Sequence, residues 1–199
     1  MNRNKQMKTA VFASGNGSNF EAIVKAVQSG KLAAEVVLLI CDKPHAYVLK
    51  RAEQLGIMSV AFQPKLFDTK ATYEREVLTH LKAEGVELIV LAGYMRIVGE
   101  TLLKAYPKRI LNIHPSLLPL YPGRQGIPDA FNDGATETGV TVHIVDEGID
   151  TGEILAQRNI AIEPDDTINS LEETLHAVEH ELFPEVIQTY IKKLQKEHT

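Results

Sequence analysis

Residues 8–19 read KTAVFASGNGSN, and the order of their parts decides the fold. Lys8 to Ser14 is an apolar run of strand length. Ser14 to Asn19 is a turn of glycines and small polar residues that opens a helix, predicted from about Asn19 to Ser29. A strand that feeds a helix through a glycine turn is the first half of a βαβ crossover, and the unit recurs. EVVLLIC (35–41) is a strand, a helix around 46–55 stops at Gly56, and MSVAF (58–62) is a short strand. A longer helix runs from about Thr69 to Glu84, followed by two more buried runs, ELIVLAG (87–93) and RILNIH (109–114). Strands that are apolar almost throughout and alternate with helices require a parallel sheet covered on both faces. The expected fold is α/β, a doubly wound, mostly parallel, Rossmann-like sheet.

The second half changes character. TGVTVHIVD (138–146) alternates with period two, and EILAQRNIAI (153–162) follows after a turn. Two strands so close in sequence pair antiparallel and extend one edge of the sheet. A long C-terminal helix starts near PDDT (164–167), with apolar positions at Ile168, Leu171, Leu175, Val178 and Leu182. Pro184 is expected to kink or restart it, and Val186, Ile187, Tyr190, Ile191 and Leu194 carry the stripe onward. No repeat, low-complexity stretch or linker interrupts the chain. Residues 1–199 are therefore expected to form one domain, with 1–7 as a disordered N-terminal tail.

A chain of 199 residues, 44% of them hydrophobic, is long enough to bury a sizeable single core. Its formal net charge of −5 argues against nucleic acid or a membrane surface as partner, since both are polyanionic. One cysteine, Cys41, excludes an internal disulfide and a cysteine-based zinc cluster. The basic MNRNKQMK start is followed by an apolar run that breaks at Ser14-Gly15-Asn16, too short for a signal peptide. No run approaches the ~18 apolar residues of a membrane span, so a soluble, cytoplasmic protein is expected.

Three features fall where open α/β sheets bind ligands, at the carboxyl ends of strands. The SGNGSN turn (14–19) lets the backbone approach a ligand closely, and a helix N-terminus offers free amides to an anion such as phosphate. Gly15 and Gly17 match the start of a dinucleotide fingerprint, but Phe20 stands where its third glycine belongs. In LNIHPSLLP (111–119), Asn112 and His114 alternate and so share a face, and Pro115 ends the ladder. A neutral and a titratable donor aimed at one point suit an oxyanion formed during acyl transfer. VDEGIDTGE (145–153) is a glycine-rich acidic loop, in which Asp150 would orient His114 and stabilise its imidazolium form. Asp146 and Glu147 compete for that role. A rival motif, HAVEH (176–180), matches the H-x-x-E-H pattern of inverted zinc proteases, but no third ligand cluster accompanies it. A Rossmann-like nucleotide sensor with no chemistry is the other alternative.

FASGNGSN, LAGYMRIV, NIHPSLLPLYPG and GVTVHIVDEGIDTGEIL, in this order and spacing, resemble the folate-dependent formyltransferases. The resemblance covers about Lys8 to Ile191. The compact length and the early SGNGSN turn favour the purine-pathway members over the methionyl-tRNA and hydrolase branches, which carry further domains. It implies transfer of a formyl group from 10-formyltetrahydrofolate, as co-substrate, to the amine of glycinamide ribonucleotide, with no metal, by a monomer or homodimer. By resemblance, Asn112, His114 and Asp150 are catalytic, and Gly17, Ser18 and Asn19 hold the ribonucleotide phosphate. Glu179, inside HAVEH, accepts hydrogen bonds from the ribose hydroxyls. Lys70, Met95, Arg96, Ile97 and Val98, with Asn112, line the folate side, Arg96 and Lys70 near the glutamate tail. The chain departs from the family pattern at Cys41-Asp42 and at Glu153. RQGIPDAF (124–131) is given no role, and His143 a structural one.

Overall fold

The computed structural model describes residues 6–197. Among them seven strands form one sheet: β1 (Met7–Ala13), β2 (Ala34–Cys41), β3 (Ser59–Ala61), β4 (Leu88–Leu91), β5 (Ile110–His114), β6 (Glu137–Ile144) and β7 (Ile154–Ala161). Their spatial order is β3-β2-β1-β4-β5-β6-β7. The pairings from β3 to β5 are parallel, and β6 pairs antiparallel with both β5 and β7. Strand order reverses between β1 and β4, so a crevice opens at their carboxyl ends. The expected architecture, antiparallel edge included, is the observed one.

Six α-helices accompany the sheet among the described residues: α1 (Ser18–Gln28), α2 (Tyr47–Leu55), α3 (Lys70–Ala83), α4 (Glu100–Ala105), α5 (Gly126–Asn132) and α6 (Ile168–Glu197). Alternate residues of each central strand feed two cores. Val11 and Ala13 pack with Phe20, Ile23 and Val24 of α1 and with Leu171, Leu175, Phe183 and Ile187 of α6. Ala10 and Phe12 pack with Tyr73, Val77 and Leu81 of α3 and Leu102 of α4. Phe12, Phe20 and Phe183 are wholly buried, each contributing about 1.5–3 kcal/mol by transfer from water. A glycine at position 20 would permit the close helix–strand contact of a dinucleotide site. Phe20 fills that space with core instead.

Local chemistry explains the boundaries. Thr69 accepts from the Thr72 amide and Thr72 returns the bond, a reciprocal cap that starts α3. Gly56, at φ 68°, closes α2 in a conformation that costs glycine nothing. The structure corrects three expectations. Met7, expected in the tail, opens β1 and is 6% exposed; residues 1–5 of that tail lie outside the described residues. Helix α6 runs unbroken through Pro184 rather than restarting there, because Leu182, Phe183, Val186 and Ile187 bury both flanks in one core. The short helices α4 and α5 occupy stretches where no helix was expected.

Candidate active site

Ile110, Asn112 and His114 lie on one face of β5, and Leu111 and Ile113 anchor the other face in the α1/α6 core. Across the antiparallel ladder Asn112 faces His143 and His114 faces Thr141. His143 Nδ1–H donates to the Ile144 carbonyl at 3.0 Å, leaving Nε2 to accept from Asn112 Nδ2 at 3.1 Å. The structural role expected of His143 is therefore specific: it holds the Asn112 amide. Asp150 arrives from the 145–153 loop with φ 55°. Its Oδ1 lies 3.5 Å from Asn112 Nδ2 and from His143 Nε2, and its Oδ2 lies 3.6 Å from His114 Nδ1. Gly123 N–H donates to Oδ2 at 2.8 Å.

Burial pushes the Asp150 carboxyl up, but the neighbouring His143 ring, the Gly123 amide and His114 outweigh it. The group is held below the usual carboxylate range. His114 Nε2–H donates to the Tyr121 carbonyl at 2.8 Å, which fixes the ring and turns Nδ1 toward Asp150. Of the three acids weighed for this place, Asp146 instead ties its own loop, accepting from Gly148 N and Thr151 Oγ1.

The segment 121–126, which joins the end of the NIHPSLLPLYPG string to the start of the RQGIPDAF stretch, given no role from sequence, is part of this site. It supplies the Tyr121 carbonyl and the Gly123 amide, and Gly126 leaves room for the ring: a Cβ there would stand 3.1 Å from His114 Nε2. Arg124 Nη2 donates to the Met95 carbonyl at 2.8 Å, joining this segment to the loop after β4. Behind it, Thr141 Oγ1 bridges the Ser116 carbonyl and the Leu118 amide, and Gln157 bonds Leu118 O. Toward the His114–Asp150 pair the segment contributes main-chain atoms, which carry no side-chain signature.

A second cleft, of 760 Å³, lies at the β1/β4 crevice. It is lined by Ser14–Asn19, Lys43, Ala92, Gly93 and Met95 on one side and by Glu173, His176, Ala177 and His180 of α6 on the other. Gly17 caps α1 at φ 80° with no side-chain cap, so the first amides of α1 lack that internal partner. Asn19 Nδ2 donates to Glu179 Oε2 at 2.8 Å, and His176 Nδ1 lies 3.0 Å from the same oxygen. Asn19 Oδ1 is buried without a partner. The two clefts are joined: Ser14 N donates to Gly93 O, and Met95 N to Ser14 Oγ.

His176 and His180 stack at 6.4 Å, but among the described residues no group of three His, Cys, Asp or Glu side chains could hold a metal. The third ligand that a zinc reading needs is missing from them. On the proposed folate side, Met95 and Ile97 are 45% and 54% exposed, whereas Val98 is buried in the α3/α4 core and offers only main chain. Arg96 lies over the Tyr73 ring at 5.3 Å. Lys70 is exposed at the start of α3, next to Glu74 and Gly99.

A Rossmann-like sheet with an amide and an imidazole on its last parallel strand, and a carboxylate brought to them by the 145–153 loop, is suited to acyl transfer. The chain belongs to the formyl transferase family, whose description matches residues 7–187. It is 51% identical over 181 residues to the phosphoribosylglycinamide formyltransferase of Bacillus subtilis, covering 91% of this chain and 93% of that one. Its structure resembles glycinamide ribonucleotide transformylase 1 from Geobacillus kaustophilus, with a TM-score of 0.91, 51% identity and coverage of 93% and 98%. The corresponding protein from Symbiobacterium toebii gives 0.93 at 35% identity, covering 96% and 90%.

Proposed function

We propose that this chain transfers the formyl group of 10-formyltetrahydrofolate to the amine of glycinamide ribonucleotide, a step of purine biosynthesis in the cytoplasm. The observation that carries the reading is the gathering of the Asn112 amide, the His114 ring and the Asp150 carboxylate within 3.6 Å contacts at β5. The family membership and the names of its relatives point to the same reaction.

The amine attacks the formyl carbon and the carbonyl oxygen becomes an oxyanion. Asn112 Nδ2 donates to it, held in place by His143. His114 exchanges the Tyr121 carbonyl for the oxyanion, its Nδ1 facing Asp150, and takes part in moving the amine proton toward the folate nitrogen. That nitrogen leaves as the carbon–nitrogen bond to the formyl group breaks. Gly17, Ser18 and Asn19 hold the phosphate at the start of α1, which has free amides and a favourable dipole. Glu179, oriented by Asn19 and His176, accepts from the ribose hydroxyls. Met95 and Ile97 give the folate an apolar wall, Val98 its main chain, and Arg96 and Lys70 cations for the glutamate tail.

A spectrophotometric assay of folate deformylation in the presence of glycinamide ribonucleotide tests this. Asn112→Ala, His114→Ala and Asp150→Asn should each lose at least ~10²-fold in rate, the range for a missing oxyanion donor. Variants within a few-fold of wild type would refute the site, and deformylation without the ribonucleotide would indicate a hydrolase.

A further inference from the structure

The phosphate-side loop is held from outside by α2, and one side chain makes most of that grip. Arg51 Nε donates to the Asn16 carbonyl at 2.9 Å and Nη2 to Asn16 Oδ1 at 2.8 Å. Its Nη1 pairs with Glu21 in the first turn of α1, and its guanidinium lies 5.0 Å over the Tyr47 ring. Val48 N–H, one turn earlier, donates to the Gly15 carbonyl at 3.1 Å. Both carbonyls of the turn are therefore committed to α2. In a trans peptide the carbonyl and the next N–H point in opposite directions. Binding Gly15 O and Asn16 O at α2 turns the amides of Asn16 and Gly17 the other way.

We infer that Arg51 is a positioning residue for the anion-binding turn: it acts through Asn16 to fix the amides that meet a phosphate monoester. The inference rests on the nucleotide role proposed for that turn. Two of the three guanidinium nitrogens, Nε and Nη2, go to Asn16 and only Nη1 to Glu21. The function of Arg51 therefore lies in the geometry of its fork. An ammonium at this position would keep the charge but lose the planar fork that reaches two oxygens of one residue.

The test compares wild type, Arg51→Lys and Arg51→Ala, first by calorimetric binding of ribose 5-phosphate and then by formyl transfer. Both variants should lose about 10-fold or more in ribose 5-phosphate affinity, in line with the sensitivity of bound ligands to small misplacements. They should show the same rise in KM for the ribonucleotide, with kcat and the folate KM within about twofold of wild type, because the fork's geometry sets only the phosphate side. Full rescue by Arg51→Lys overturns the inference in favour of simple charge. Unchanged affinity in Arg51→Ala overturns it outright. If Arg51→Ala does not fold, Asn16→Ala, which removes only the Oδ1 contact, should show a smaller loss of ribose 5-phosphate affinity, and no loss refutes the grip. Absence of turnover in a wild type that binds ribose 5-phosphate would count against the proposed reaction alone.

Discussion

Gly17→Ala places a methyl group where the structure has no room for one. The new Cβ would lie 2.6 Å from Val48 Cβ and 3.0 Å from Val48 Cα, and closer still to Val48 Cγ2. The obstacle is the start of helix α2 and cannot swing away, because Val48 is fully buried. Position 17 also sits at φ 80°, in the left-handed region. Leaving that region's glycine out costs about 1–2 kcal/mol, and forcing a methyl into a packed contact about 1–3 kcal/mol more. Alanine returns about 0.4–1 kcal/mol by stiffening the unfolded chain, so a net loss of about 1–4.5 kcal/mol is expected. Gly15→Ala is the internal control: a Cβ there meets nothing within 4 Å and its φ is ordinary. It should change stability by less than about 1 kcal/mol in either direction. Urea unfolding of both variants measures the difference. Adding Val48→Ala to Gly17→Ala should relieve part of the clash and none of the φ strain, giving a coupling of about 0.5–3 kcal/mol. Equal midpoints for the two glycine variants, or strict additivity in the double variant, would refute the reasoning.

Two further outcomes follow from acids held by hydrogen bonds. Asp150 is held below its ordinary pKa, so it binds a proton less readily folded than unfolded. Its stabilisation is present above the unfolded value near ~3.9 and is lost as pH falls through the folded one. The stability gap between wild type and Asp150→Asn, read from urea midpoints, should shrink between pH 6 and pH 3, and a constant gap would contradict this. Glu74, 3% exposed, accepts from the Gly99 amide at 2.6 Å and so ends the loop after β4 where α4 begins. Glu74→Ala should cost about 1–3 kcal/mol by leaving that amide unpaired, whereas Glu74→Gln, which keeps an acceptor oxygen, should cost less in the same measurement.

The strands were legible because a sheet covered on both faces leaves near-continuous apolar runs, as in Val36 to Cys41 of β2. Helices α1, α3 and α6 were legible because they are long enough to show a stripe. Helices α4 and α5, six and seven residues long, make fewer than two turns. The first is started by Glu74, a residue 25 positions away, which leaves no local signature, and the second carries Pro128 in its first turn, which reads as a breaker in the sequence. At the site, alternation alone put Asn112 and His114 together, but what holds them is largely main chain: the carbonyls of Tyr121 and Ile144 and the amide of Gly123. A residue whose contribution is a backbone atom need carry no particular side chain. For the same reason the pattern in HAVEH misleads when read letter by letter. Glu179 is turned inward to Asn19 across 160 positions of sequence, a contact that no spacing within the helix announces.

The antiparallel edge explains how a carboxylate 38 residues from Asn112 can reach it. A parallel strand after β5 would need a long crossover before it could lie beside β5. Strand β6 instead runs back along β5, so that Ile144 lies beside Leu111. Strand β7 then pairs with β6, Ile154 opposite His143, and Ile144 N–H donates to Glu153 O. This pairing closes residues 145–153 into a loop folded back over the β5 face, where Asp150 meets both Asn112 and His114. The second cleft belongs to the parallel part of the topology, the β1/β4 reversal. Ser14 to Met95, Met95 to Arg124 and Gly123 to Asp150 connect the two in successive hydrogen bonds. The β1/β4 cleft and the β5 site are therefore tied by a path of short contacts, each between a backbone atom and a side chain. That path requires the parallel and antiparallel parts of the sheet to meet at β5.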